Sequence, residues 1–197
     1  MTRRTPIGLI LLLLVLALGA GVRAQTEAPR APESGTAAQE RLLNLAERLR
    51  LSLTVASVAA YAPTLADLRL HAQQLVNLLE GVGGLHYVRP LQADPEGPGM
   101  MPELVALAAW YEGRPEEPTL REQVARALKN TRSYLSLARD AALSSIEQRQ
   151  YERATQDILR VYAYLAAAYE TPCETAAIPA LWTVLRVLGL EEIDPPG

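Results

Sequence analysis

The chain has 197 residues, 49% of them hydrophobic, and its 22 acidic and 19 basic residues give a net charge of −3. A slightly acidic chain does not suit nucleic acid, whose phosphates are bound by clustered Lys and Arg, so no nucleic-acid partner is predicted. Its single cysteine, Cys173, excludes an internal disulfide, so stability must come from packing.

The N-terminal segment has the pattern of a signal peptide. Arg3 and Arg4 precede an apolar run over residues 7–18, and Ala24 ends an Ala-x-Ala-like cleavage site. The run is shorter than the roughly 20 residues that span a bilayer. We therefore expect a secreted or periplasmic protein, cleaved after Ala24, with no membrane span once the signal is removed. An uncleaved N-terminal anchor is the alternative, and the arginine pair leaves the twin-arginine route open beside the general secretory one.

Composition divides the rest of the chain into three parts. Residues 25–35 are polar, contain two prolines and lack periodicity, which predicts a flexible linker. Residues 36–190 are predicted to form a single domain, and residues 191–197 a frayed tail. Without residues 1–24, which hold three arginines and no acid, 16 basic and 22 acidic residues remain, a net charge of −6. This charge does not suit a polybasic lipid-binding surface either.

Helix starts are marked by a repeated capping pattern. A threonine oxygen at the N-cap can accept a hydrogen bond from the backbone amide three residues later. An acidic or amide side chain at that later position can in turn accept from the backbone amide of the threonine. Four such pairs occur: Thr36 with Gln39, Thr64 with Asp67, Thr119 with Glu122, and Thr171 with Glu174. Four independent pairs predict a helical protein.

The spacing of apolar residues agrees with these starts. Leucines and alanines recur every three or four residues, which is typical of amphipathic helices. The predicted helices cover 36–62, 64–80, 102–111, 120–143, 146–169 and 172–188, with a break allowed at Ser144 and Ser145. No segment alternates as a strand would. We therefore predict an all-α fold, an up-down four-helix bundle of long helices with short accessory helices.

The first helix is apolar on two faces. Residues 51–66 contain no charged residue, and Leu51, Val55 and Val58 lie opposite the main apolar stripe. A helix that is apolar all round is normally buried on both sides, so we expect this part to be enclosed, with the final helix covering it. A homodimer interface on the second face is the alternative.

The segment 81–101 is the best candidate for ligand contact. It contains five glycines and three prolines, and structureless segments of this length are often functional. We predict that an unidentified protein or small molecule is bound through this loop and the adjoining end of the bundle. The candidate binding residues are His71, Glu80, His86, Tyr87 and Arg89.

The sequence contains no recognisable catalytic, metal-binding or haem-attachment motif. No nucleophile has a recognisable histidine partner, so we predict no catalytic residue and favour a non-enzymatic binding, structural or interaction role. The alternative is a metal- or cofactor-binding bundle that uses His71 and His86, with Glu80 as a further ligand. No paired Glu-x-x-His motif or haem-attachment motif supports this alternative, so neither a cofactor nor a metal site is predicted.

Overall fold

The computed structural model describes residues 35–89, 97–114, 118–169 and 179–190. They form six helices: α1 (Gly35–Ala60), α2 (Leu65–Glu80), α3 (Met100–Glu112), α4 (Pro118–Glu147), α5 (Tyr151–Tyr169) and α6 (Leu181–Val187). These ranges contain no strand, and Gly81 and Pro98 form an isolated antiparallel bridge. The predicted all-α class is therefore confirmed for the described residues.

The core forms along regular apolar stripes, of which that of α1 is the clearest. One line of its buried residues alternates strictly by three and four, each residue at most 1% exposed: Leu42, Leu45, Leu49, Ser52, Ala56 and Ala59. The one polar member does not disturb the stripe, because the Ser52 hydroxyl donates to the carbonyl of Arg48 at 2.9 Å. This spacing keeps one face of α1 against its neighbours.

The four long helices contact one another in a closed order. α1 packs against α2 and α5, and α4 packs against the same two helices. Polar contacts give the directions. The Tyr151 hydroxyl donates to the carbonyl of Ala62 at 2.6 Å, and the guanidinium of Arg50 lies 5.9 Å from the ring centre of Tyr169. The start of α5 therefore lies near the end of α1, and the two helices run antiparallel.

The second helix begins and ends close to its predicted bounds. Thr64 is the N-cap of α2, and its hydroxyl oxygen accepts from the Asp67 amide at 3.1 Å. Its hydroxyl also donates to the Asp67 carboxylate at 2.6 Å. Gly81 ends the helix with a backbone φ of +73°, a conformation that favours glycine. Both predicted signals of α2 are confirmed.

Two other predicted caps are wrong. Thr36 and Thr119 are each the second residue of a helix, because α1 begins at Gly35 and α4 begins at Pro118. Proline suits the first helical position, since it has no amide hydrogen to leave unpaired. The fourth pair, Thr171 with Glu174, lies outside the described residues, as does Cys173.

The predicted break at Ser144 and Ser145 is also wrong. α4 continues to Glu147, and α5 begins at Tyr151. The serine side chains connect the two helices instead of ending one, because the Ser145 hydroxyl donates to the carbonyl of Ala154 at 3.2 Å. Serine alone does not interrupt a helix when its hydroxyl has an acceptor on a packed neighbour.

A buried carboxylate completes this turn. Asp157 is 4% exposed and accepts hydrogen bonds from the Ser144 hydroxyl at 2.8 Å and from the Gln148 side-chain amide at 3.0 Å. Arg160 donates to the other carboxylate oxygen at 2.8 Å. These four residues, the hairpin cluster, join the end of α4 to α5 and satisfy the polar groups that the turn buries.

The expected enclosure of α1 on both faces is wrong within the described ranges. Leu51 is 40% exposed and Val58 is 50% exposed, whereas Val55 is half-buried. The last helix does not cover this face, because α6 packs mainly on α4. Length explains the difference, since α6 spans only Leu181–Val187, seven residues.

Several predicted segments cannot be compared with the structure. The signal peptide over 1–24, nearly all of the linker, and the tail over 191–197 lie outside the described residues, so those boundaries stay predictions. Every helix in the ranges that are described is too short or too polar to cross a membrane.

Candidate functional site

Three polar side chains of α2 face the loop that follows it. Gln73, Asn77 and Glu80 are spaced by four and three residues, which places them on one side of the helix. Asn77 is only 4% exposed, and the carboxylate side chain of Glu80 is 8% exposed. Because buried polar groups need partners, these anchoring residues indicate where the loop must lie.

Asn77 holds the loop as a neighbouring strand would. Its side-chain nitrogen donates to the carbonyl of Val88 at 2.8 Å, and its oxygen accepts from the amide of the same residue at 3.1 Å. Gln73 donates to the carbonyl of His86 at 2.7 Å and to the Asn77 oxygen at 3.1 Å. The loop backbone thus exchanges hydrogen bonds with side chains of α2.

Glu80 forms the second anchor. One carboxylate oxygen accepts from the backbone amide of His86 at 2.8 Å, and the other lies 2.9 Å from the Nδ1 atom of the same histidine. Arg139 of α4 also approaches, with its Nε atom 4.0 Å from the Glu80 carboxylate. The loop, the end of α2 and the middle of α4 therefore meet at one buried carboxylate.

Glycines close the base of the loop. A Cβ atom on Gly81 would lie 1.9 Å from the amide nitrogen of Gly99, and one on Gly99 would lie 2.1 Å from the carbonyl carbon of Glu80. The two backbones cross at a distance that no side chain permits. Gly84 is confined in the same way, since its Cβ would lie 2.4 Å from that of Glu80.

The anchored loop, residues 81–89, turns aliphatic side chains toward water. Leu85 is 89% exposed, Val82 46% and Val88 42%. Arg89 is exposed beside them, and the side chain of His86 is 41% exposed. The loop therefore combines exposed aliphatic side chains with a backbone that is held by hydrogen bonds from α2.

A cleft lies on the α1 side of the loop base. It encloses about 370 Å³ and is lined by Arg41, Asn44, Leu45, Glu47, Arg48, Pro98 and Glu103. The Arg41 Nε donates to the Glu103 carboxylate at 2.5 Å, which joins α1 to α3. Arg48 donates to the carbonyl of Pro98 at 2.7 Å, which ties α1 to the loop base. The cleft therefore lies between α1, α3 and the base of the loop.

The structure brings together most of the predicted binding residues. Glu80, His86, Tyr87 and Arg89 all belong to the loop and its anchor. His71 does not, since it lies nine residues before Glu80, about two and a half turns away and on the opposite face of α2. Its Nδ1 atom is 2.9 Å from the Gln74 side-chain oxygen.

Sequence reasoning missed the residues that hold the loop. Gln73 and Asn77 were available as a signal, because both interrupt an apolar helix on the side that also carries Glu80. Arg48 and Arg139 were not foreseeable, since their contacts join helices far apart in the chain.

The metal alternative gains no support from the geometry. It requires His71, His86 and Glu80 to converge, and His71 lies apart from the other two. Among the residues that the structure describes, no group of three or more His, Cys, Asp or Glu side chains is placed to hold a metal ion.

Comparison with known proteins assigns no family. No protein-family model matches the sequence, and no curated protein or solved structure matches it either. Function is inferred below from the contacts of this chain's own residues.

Proposed function

We propose that this protein is an exported, non-enzymatic helical bundle that binds a partner through the anchored loop and the adjoining bundle end. The observation that carries the proposal is the combination at residues 81–89 of a backbone held by Gln73, Asn77 and Glu80 with aliphatic side chains left in water. A loop that is ordered before binding loses less conformational entropy when it docks.

The chemistry around the loop fits an interface. Leu85, 89% exposed, lies between the exposed Val82 and Val88 in the chain, and the exposed Arg89 follows them. The Arg41–Glu103 ion pair lines the cleft at the base of the loop. Binding surfaces commonly have an apolar centre and a polar rim. The partner expected here is either a protein with an apolar pocket or a small apolar molecule.

We further propose that the four long helices form an up-down four-helix bundle. The closed order of contacts α1–α2–α4–α5 supports it, and so do the antiparallel directions of α1 with α5. Arg69 near the start of α2 donates to the carbonyl of Gln148 just beyond α4, as antiparallel packing requires. The loop after α2 lies beside the middle of α4, where Arg139 approaches Glu80, and its exposed side chains leave a partner access to it.

Export remains a proposal that rests on residues 1–24 alone. It is tested by expressing the full-length sequence in a bacterium with two membranes and determining the N-terminus of the accumulated protein. An N-terminus at Gln25 in the periplasmic fraction supports export. An intact N-terminus in the cytosolic fraction contradicts it.

Binding through the loop is tested by replacing Leu85 with a photo-crosslinking amino acid in the native host. The matched control places the same probe at Leu159 of α5, which is 54% exposed and belongs neither to the loop nor to its anchoring residues. A discrete adduct formed from position 85, absent at position 159 and abolished by adding Asn77→Ala, supports the proposal. Equal adducts from both positions contradict it.

A further inference from the structure

Helix α1 and the turn that directly follows it carry a second stripe of uncharged, mainly apolar residues on the side opposite the core. Leu51, Thr54 and Val58 of α1 and Tyr61 of the turn, here called the outer seam, alternate by three, four and three residues. This is the a/d spacing by which one helix packs along another. Leu51 is 40% exposed, Val58 50% and Tyr61 89%. The spacing indicates that the occupant of this face is a helix.

The outer seam is also electrically neutral. No charged residue occurs between Arg50 and Asp67. Arg50 itself turns away, since its guanidinium lies over the ring of Tyr169. A neutral apolar stripe pairs best with another of the same kind, because a charged partner would lose its hydration without gaining a counter-charge. A second copy of α1 supplies such a stripe.

We propose that two copies of this protein associate through their outer seams, with the two α1 helices antiparallel about a twofold axis. Leu51 of each copy then packs against Tyr61 of the other, and Thr54 packs against Val58. A twofold contact uses the same surface on both subunits, so the seam has to be complementary to itself. The interface lies on α1 and is separate from the anchored loop, so it does not depend on the proposed binding function.

The charge of Glu47 decides whether the two α1 helices pair parallel or antiparallel. Glu47 continues the same spacing one step before Leu51, and its side chain is 61% exposed. In a parallel pair the two Glu47 carboxylates would face each other and repel. In the antiparallel pair they are separated by about 27 Å along the axis, calculated from the helical rise. That separation exceeds the screening length of about 8 Å in physiological salt.

Sedimentation of the protein expressed from its full-length sequence is the first test. Over a concentration range from micromolar to near-millimolar, the wild type is expected to pass from one monomer mass to twice that mass. Val58→Arg is expected to weaken the dimer about tenfold or more, because it places a charge in the apolar contact. The control is Leu137→Arg on α4, where a leucine of 45% exposure lies outside the seam and association should be unchanged.

Disulfide trapping tests the direction and does not depend on the arginine variant folding. Leu51→Cys and Tyr61→Cys are made separately in a Cys173→Ser background and oxidised alone or mixed. The antiparallel seam predicts a covalent dimer in the mixture and little in either protein alone.

Three results would overturn the proposal. A wild type that remains monomeric over the whole range excludes the dimer. Equal weakening by Leu137→Arg places the contact elsewhere. Efficient crosslinking of Leu51→Cys with itself excludes the antiparallel arrangement.

Discussion

The turn between α4 and α5 and the loop after α2 are both held by polar side chains, yet they leave different groups in water. In the hairpin cluster, Asp157 and its partners satisfy one another beneath a turn of three residues. After α2, Asn77 and Glu80 satisfy the loop backbone while Leu85 stays exposed. The same kind of hydrogen bond stabilises the fold in the first region and a surface in the second.

This difference has an energetic consequence. A defect in the hairpin cluster leaves polar groups unpaired between two helices that stay packed along their length, so its cost is felt in global unfolding. A defect in the loop anchors can be relieved by opening the loop while the helices stay packed, so its cost is limited to local opening. The predictions below therefore compare substitutions in the hairpin cluster with substitutions in the loop and its anchors.

The largest effect is expected for Asp157→Ala. Removing the buried carboxylate leaves the donors of Ser144 and Gln148 without their acceptor, and we expect the free energy of unfolding to fall by about 3 kcal/mol. Chemical denaturation measures it. Asp140→Ala is the control, since that exposed carboxylate pairs with the adjacent Arg139 and its loss should cost about 0.5 kcal/mol or less. Equal losses would contradict a structural role of the cluster.

A smaller effect is expected for Gly81→Ala. The new Cβ would meet the Gly99 backbone, and the positive φ adds strain, so we expect a loss of about 2 kcal/mol, with the loop base opened. Gly83→Ala separates the two causes, because its φ is +98° and nothing lies within 4 Å of its Cβ. Denaturation of both proteins checks this, and a Gly83→Ala protein as unstable as Gly81→Ala would show that the crossing is not the cause.

Asn77→Ala should act mainly on the loop. It removes both hydrogen bonds to the Val88 backbone, and we expect about 1.5 kcal/mol of lost stability. Hydrogen exchange is the sharper measurement, since the Val88 amide should lose protection while that of Gly81, which bonds to the Asn77 carbonyl, keeps it. Asn44→Ala, at an exposed position on α1, is the control. Unchanged exchange at Val88 would mean that the amide pair does not hold the loop.

Leu85→Ala is expected to have the smallest effect on stability. The side chain is 89% exposed, so its truncation should change the free energy of unfolding by less than about 0.5 kcal/mol. Adduct formation from a crosslinking probe moved to the neighbouring Val88 should nevertheless fall. A clear loss of stability would show that Leu85 packs against the protein, which would remove it from the proposed binding surface.

The helices could be predicted from the sequence because their signals are local. The bounds of α2 follow from Thr64 and Gly81, and the core stripe of α1 follows from its spacing. The end of α4 could not be predicted from the sequence. Ser144 and Ser145 do not break the helix, because α5 supplies acceptors for their hydroxyl groups. Those acceptors belong to tertiary packing.

The candidate site was predictable in part for the same reason. Glu80 and His86 are six residues apart, so a helix end followed by a tight loop brings them together. His71 shares α2 with them, but the helical period turns it to the other face. The exposure of Leu51 and Val58 was missed, because spacing shows that a stripe is apolar without showing what packs on it.

The crossing of Gly81 and Gly99 brings the two ends of the intervening segment together. The part of that segment up to Arg89 is held on α2 by Gln73, Asn77 and Glu80, and Pro98 is held by Arg48. A foreign sequence can therefore be inserted between Arg89 and Gly97, provided that both glycines and the anchored residues remain. That property makes this protein a candidate scaffold for displaying foreign peptides.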